Sequence, residues 1–277
     1  MMEKVCSAYY DIENLILKSL KNLPLIGFYA KIRGWDYVLS WIHRITGVLL
    51  VFYLWFHVYT LTSLTTPELF TEKMMLFQGA VFVFLEWLLA IPVIFHALNG
   101  GRLILYETFY SQPDAAVIRG TLIFSLFYVA LLGFMMLIGN QQVSPVLLWL
   151  CCLSVSIAVS YIVALKLRHS KNSLGWKIQR VTGSFLLLMI PAHLLFMHLQ
   201  PDVGHEVGVI IPRMQHGFIK IVNLLLLLCS VYHGGYGLIE IIKDYSDKKL
   251  LHYLSTIVII IVMAAFFAAG AHLTIFI

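Results

Sequence analysis

Charge is what this sequence lacks most. Only 12% of its 277 residues are Asp, Glu, Lys or Arg, whereas 60% are hydrophobic. A soluble domain carries about 25% charged residues to cover its surface. A water-soluble fold is therefore excluded, and the chain reads as an all-α integral membrane protein. Cysteine is scarce as well. Cys6, Cys151, Cys152 and Cys229 are too few and too badly spaced for an iron–sulfur or zinc site. The adjacent pair Cys151 and Cys152 sits in an apolar run, where a thiol packs as a small hydrophobe. The first residues, MMEKVCSAYYDIENLILKSLKNLP, lack the unbroken apolar core of a signal peptide, so the N-terminus is expected to be cytoplasmic. The net charge of +5 is spread over short loops, and no nucleic-acid partner is expected.

Long apolar runs are abundant. Runs of about 20 residues, enough to cross a bilayer, fall at about 38–63, 77–100, 117–138, 145–166, 177–199, 218–241 and 251–275. About seven transmembrane helices are expected. Lys31, Arg33 and Arg44 precede or open the first run. Arg102 and Arg119 lie between the second and third, Lys166 to Arg180 between the fourth and fifth, and Lys243 to Lys249 between the sixth and seventh. The opposite loops offer Lys73, Arg213 and Lys220. By the positive-inside rule the N-terminus is inside and the C-terminus outside.

One phrase is written twice. HRITGVLLVFYLWFH runs from His43 to His57, and QRVTGSFLLLMIPAH runs from Gln179 to His193. Each ends in a histidine, and each is followed at nearly the same interval by another. His57 is followed by His96, with Gly100 one helical turn beyond, and His193 by His233, with Gly237 one turn beyond. Two parallel three-helix repeats explain this pattern. Three crossings end on the wrong side for a parallel second unit, so a connector helix must add a fourth. The expected division is 1–34 (a cytoplasmic docking segment), 35–140 (first repeat), 141–170 (connector) and 171–277 (second repeat).

A polar side chain inside a membrane span is costly and points to function. By helix rise, His57 and His193 share an outer depth, while His96 and His233 share an inner one. Two imidazoles facing each other at one depth form a bis-histidine axial site for a b-type haem. Glycines one turn from the histidines, Gly100 and Gly237, with Gly47 and Gly183, let a flat macrocycle approach the backbone. Carboxylates and thiolates are missing beside these histidines, which disfavours another kind of metal site. Ser40 and Arg44, at i and i+4, share one face at the inner mouth, level with Asp244 and Tyr245. A fixed cation beside hydroxyl donors suits a quinone head group gaining charge, although Arg44 also reads as a positive-inside anchor or propionate partner. Glu86, within the second run, is either a protonation site near the outer pair or a neutral hydrogen-bonded acid. A membrane transporter with parallel repeats, its histidines serving as proton sites, fits the hydropathy too.

The motifs resemble a family. SWIHRITG at 40–47 and HALNGGRLILYE at 96–107 resemble the quinone-site and haem-ligand segments of the larger anchor subunit of succinate dehydrogenase and fumarate reductase (complex II). HGGYGLIEIIKDY at 233–245 is similar to the smaller anchor. IQRVTG through His193, with LQP at 199–201, resembles the dihaem single-chain anchors. The resemblance covers roughly 38–110 and 176–275 and leaves the fourth helix out. It implies a dihaem cytochrome b anchor of a succinate:quinone oxidoreductase in a bacterial-type inner membrane, resembling a fusion of two three-helix anchors. Flavoprotein and iron–sulfur subunits would be its partners, and higher oligomers of the complex are possible. By the same resemblance the cofactors are two haem b and a quinone, expected to be menaquinone. His57 and His193 would hold the outer haem, His96 and His233 the inner. Ser40, Arg44, Asp244 and Tyr245 would bind quinone, with His43, Arg102 and Arg180 in the haem-propionate or quinone neighbourhood. A cytochrome b serving another quinone-linked dehydrogenase remains an alternative. Two features depart from the family. The dihaem single-chain relatives usually have five helices, and their intramembrane glutamate two residues before the last haem histidine is Val231 here.

Overall fold

The computed structural model describes residues 24–77, 79–109, 115–138, 146–198 and 206–277, together with 18, 19 and 22. Cys6, Lys21, the LQP stretch and most of the expected docking segment lie outside these residues. Among the described residues the secondary structure is helical. Helix α1 (Pro24–Arg33) is followed by α2 (Trp35–Thr62), a 3₁₀ turn (Ser63–Thr65), and α3 (Pro67–Phe77). Then come α4 (Ala80–Phe109), α5 (Ala115–Ile138), α6 (Val146–Leu167) and α7 (Leu174–His193), which runs into a π-helical turn at Leu194–His198. Helices α8 (Val207–Gln215), α9 (Gly217–Tyr245) and α10 (Lys249–Phe276) complete the chain.

The protein is an all-helical membrane bundle. Helices α2, α4, α6, α7, α9 and α10 are long and apolar enough to cross a membrane, and α5 contributes a shorter apolar stretch, Val117–Leu131. All seven expected runs therefore appear as helices, six of them apolar over the full thickness of a bilayer. The short helices α3 and α8 were not foreseen. Each is too short and too mixed in polarity to register against the long runs, yet Phe70 and Met74 of α3 pack with Met214 of α8 and Leu273 of α10. Large apolar side chains such as Phe56, Phe124 and Ile261 face outward. An apolar exterior on this scale suits acyl chains and is rare on soluble monomers.

Local chemistry shapes the ends. Gly34 takes a left-handed φ of 83°, which separates α1 from α2 and favours a residue without a Cβ. Ser173 caps α7 by accepting a hydrogen bond from the backbone N–H of Trp176 at 3.3 Å. Near the other end, Pro191 lies inside α7. Proline removes one backbone donor from the ladder, and two residues later the helix passes His193 and widens into the π turn, a form often found at functional sites.

The packing centres on α2, α4, α7 and α9, the four helices that carry the histidine pairs. Within the expected first repeat, α2 packs on α4 and α4 on α5; within the second, α7 packs on α9 and α9 on α10. Across the bundle α4 meets α7, and α9 meets α2. The second helix of each half therefore lies against the first helix of the other. Helix α6 packs mainly along α7, with Trp149 beside Phe185 and Met189 and a buried Ser184–Ser160 hydroxyl pair at 3.2 Å.

Candidate functional site

Each Arg-x-Thr-Gly motif makes a socket for a histidine of the neighbouring helix. In α2, Thr46 Oγ1 donates back to the carbonyls of Ile42 and His43, at 2.8 and 3.0 Å. Thr182 does the same in α7, toward Ile178 and Gln179, at 2.9 and 3.1 Å. Next to these hydroxyls, His96 Nδ1 donates to the carbonyl of His43 at 3.1 Å, and His233 Nδ1 to the carbonyl of Gln179 at 3.2 Å. A carbonyl only accepts, so Nδ1 carries the proton and the Nε2 lone pair is left to bind something else. Gly183 is the floor of its socket: a Cβ there would come within 3.0 Å of His233 Cε1, and Gly47 stands in the same relation to His96. These glycines were expected to line a macrocycle edge. The structure sets Gly47 and Gly183 against histidine rings, while a Cβ at Gly100 or Gly237 would lie 3.4 Å from the side chain of His43 or Gln179.

The two depths carry the same geometry. The rings of His96 and His233 have centroids 6.2 Å apart and planes 88° from parallel, and His57 and His193 repeat both values. Two imidazoles bound to opposite faces of one metal, at about 2.0 Å per bond with about 1.1 Å from nitrogen to centroid, have centroids about 6 Å apart. The rings are thus too far apart for a direct hydrogen bond and correctly spaced for a shared iron. Among the described residues no group of three or more His, Cys, Asp or Glu side chains is placed to hold a bare metal ion. The histidines come as facing pairs, two imidazole donors that could hold a b-type haem between them.

At the basic end of the bundle, Arg44 Nη2 meets Asp244 at 2.7 Å, and Nη1 donates to the Tyr245 hydroxyl at 3.2 Å. Ser40 is half-buried one turn before Arg44 on the same helix. The structure thus brings Arg44, Asp244 and Tyr245 into contact from opposite halves of the chain. His43 stacks face to face on His96, centroids 3.9 Å apart, and its buried Nδ1 has no hydrogen-bond partner among the described residues. Arg102 is buried and anchored, with Nε on Asn99 at 2.9 Å and Nη1 on Asp36 at 2.6 Å. Arg180 forms a two-point ion pair with Glu107 and donates Nη1 to Gln179 at 3.0 Å. Both arginines therefore have carboxylate partners of their own. Glu86, toward the other end of the bundle, lies within electrostatic reach of His57 and Tyr53.

Residues 30–136 match the family model of the succinate dehydrogenase/fumarate reductase transmembrane subunit. The matched stretch takes in 107 of the chain's 277 residues. Across 83 residues, 29% of this chain, it is 32% identical to the succinate dehydrogenase 2 membrane subunit SdhC of Mycobacterium tuberculosis, and it covers 61% of that relative's length. No solved structure matches the chain. The match to a succinate dehydrogenase/fumarate reductase transmembrane subunit takes in Ser40, His43, Arg44, His57, Glu86, His96 and Arg102. His193, His233, Asp244 and Tyr245 lie beyond it, and they are tied to it by the repeated sequence and by contact.

Sequence reasoning missed four features of the site: the backbone carbonyls of residues 43 and 179, the two threonines as their partners, Glu107, and Trp176. A signal for Glu107 was present. It stands as far before Asp244 in the chain as His96 stands before His233.

Proposed function

We propose that this chain is the dihaem cytochrome b membrane anchor of a succinate:quinone oxidoreductase. It is built as two parallel three-helix repeats, 35–140 and 171–277, joined by a connector at 141–170. The single observation that carries the reading is the duplicated histidine geometry, two facing pairs with the same separation and the same ring angle. His96 and His233 would hold one b haem, and His57 and His193 the other. When bound, haem supplies a one-electron carrier within the bilayer. The protein's part is to fix the ligand tautomer through the carbonyls of residues 43 and 179, to keep the rings oriented, and to exclude water.

Quinone binds at the basic end, beside Arg44, Asp244, Tyr245 and Ser40. The Arg44 guanidinium and the Tyr245 hydroxyl are fixed donors for a head-group oxygen that becomes more basic as electrons arrive. Asp244 keeps Arg44 aligned, and the His43 side chain lines the same approach. This end faces the cytoplasm, where Arg44, Arg180, Lys243, Lys248 and Lys249 satisfy the positive-inside rule. Flavoprotein and iron–sulfur subunits dock there and carry the dicarboxylate chemistry, with α1 and the preceding residues contributing to the contact. Glu86, within reach of His57, takes or releases a proton on the outer side, where menaquinone would exchange electrons.

Purification of the native complex tests this reading. A flavoprotein and an iron–sulfur protein should co-purify, and a pyridine haemochrome assay should give two haems per chain. One haem or none would sink the paired-site assignment.

A further inference from the structure

The Arg44–Asp244 pair has a twin. The shift along the chain that takes His57 to His193 also takes Arg44 to Arg180 and Ser40 to Trp176. The shift that takes His96 to His233 takes Glu107 to Asp244 and Thr108 to Tyr245. The structure obeys both. Arg44 of the first half bonds Asp244 of the second, and Arg180 of the second half bonds Glu107 of the first. Two crossed ion pairs therefore flank the inner histidine pair, related by the same internal symmetry as the histidines themselves.

The two mouths differ in what surrounds the arginine. At the first, Arg44 uses its two Nη atoms, one on Asp244 and one on a phenol that is 59% exposed. Its companion one turn earlier is the small hydroxyl of Ser40. At the second, Nε and Nη2 of Arg180 are both taken by Glu107, and Nη1 by Gln179. The face of its guanidinium is covered by the Trp176 ring, with Cζ 4.6 Å from the ring centre. Where Tyr245 offers an exposed hydroxyl, the twin has Thr108, which is buried. An indole on one face and three committed nitrogens leave little room for a planar head group to reach this arginine.

We infer that Trp176 is a specificity-determining residue: it seals the twin mouth, so that a quinone head group enters beside one of the two arginine–carboxylate pairs and not the other. The inference rests on the quinone site proposed at Arg44.

Photolabelling of the intact complex with a short-chain azidoquinone, followed by peptide mapping, tests it. In the wild type, label should fall on the peptide bearing Tyr245. Trp176→Ser, which copies Ser40, should add label on the peptide bearing Glu107, and Trp176→Phe, which keeps an aromatic plug, should not. Label at both mouths in the wild type would overturn the inference. So would an unchanged pattern in a Trp176→Ser complex with a wild-type haem spectrum. If the wild type is unlabelled at Tyr245 while Trp176→Ser gains label at Glu107, the seal stands and the Arg44 site falls. Should Trp176→Ser fail to assemble, the reciprocal Ser40→Trp decides. Labelling at Tyr245 should drop at least about tenfold with haems retained, and undiminished labelling would refute the seal.

Discussion

The ring of His96 occupies the space that a side chain on Gly47 would need. A Cβ at Gly47 would lie 3.0 Å from His96 Cε1, and the same distance separates a Cβ at Gly183 from His233. This is tighter than ordinary contact, so each ring would have to give by a few tenths of an ångström against its bond to the carbonyl of residue 43 or 179.

Gly47→Ala and Gly183→Ala should therefore tilt one inner ligand each. Overpacking of this kind costs about 1–3 kcal/mol. The expected signature is a displaced absorption band or midpoint potential of the inner haem alone. Gly120→Ala, at a glycine with open space around it, is the matched control and should leave the spectrum unchanged. An undisturbed inner haem in both socket variants would refute the socket.

Each histidine pair should be lost as a unit. His96→Ala or His233→Ala removes one of the proposed iron ligands and should eliminate the inner haem while the outer remains. His57→Ala or His193→Ala should do the converse. Haemochrome quantitation should read half the wild-type content in every case. Removal of both haems by one substitution would mean that the two layers are not independent.

The proposed inner quinone site predicts a separation of activities. Arg44→Leu removes a charge-assisted donor, worth about 1.5–3 kcal/mol, so quinone turnover should fall about 10- to 100-fold. Tyr245→Phe should cost less, about 0.5–1.5 kcal/mol for a neutral hydrogen bond. Succinate oxidation with a soluble acceptor should be nearly unchanged in both. Wild-type quinone kinetics and inhibitor sensitivity in both variants would move the site elsewhere.

The proton exchange proposed for Glu86, which lies in electrostatic reach of His57 and Tyr53, can be tested beside the outer pair. A charge crossing the full membrane couples to the potential by about 2.3 kcal/mol per 100 mV. In energised vesicles Glu86→Gln should lower menaquinone-linked activity at least about tenfold while both haems stay bound. Unchanged activity with unchanged uncoupler sensitivity would exclude a protonation role.

The sequence by itself determined the membrane class, the long helices and the four histidines. Hydropathy is a sum over neighbours in the chain, and a histidine in an apolar run stands out without any knowledge of its partner. The repeat also paired the histidines by depth, because helix rise converts residue number into height. What the tertiary structure decided is which faces meet. Only the crossed packing of α2 on α9 and α4 on α7 puts Arg44 on Asp244 and Arg180 on Glu107, and the second pair went unread although its spacing was in the sequence. A missing side chain does not say what fills its place, and only the folded chain shows imidazole against Gly47 and Gly183. Arg102, expected by resemblance in the haem-propionate or quinone neighbourhood, has Asp36 and Asn99 as its partners in the folded chain. Periodicity gives a residue's height and its helix face, while its partner depends on how neighbouring helices rotate about their axes, and packing alone sets that rotation.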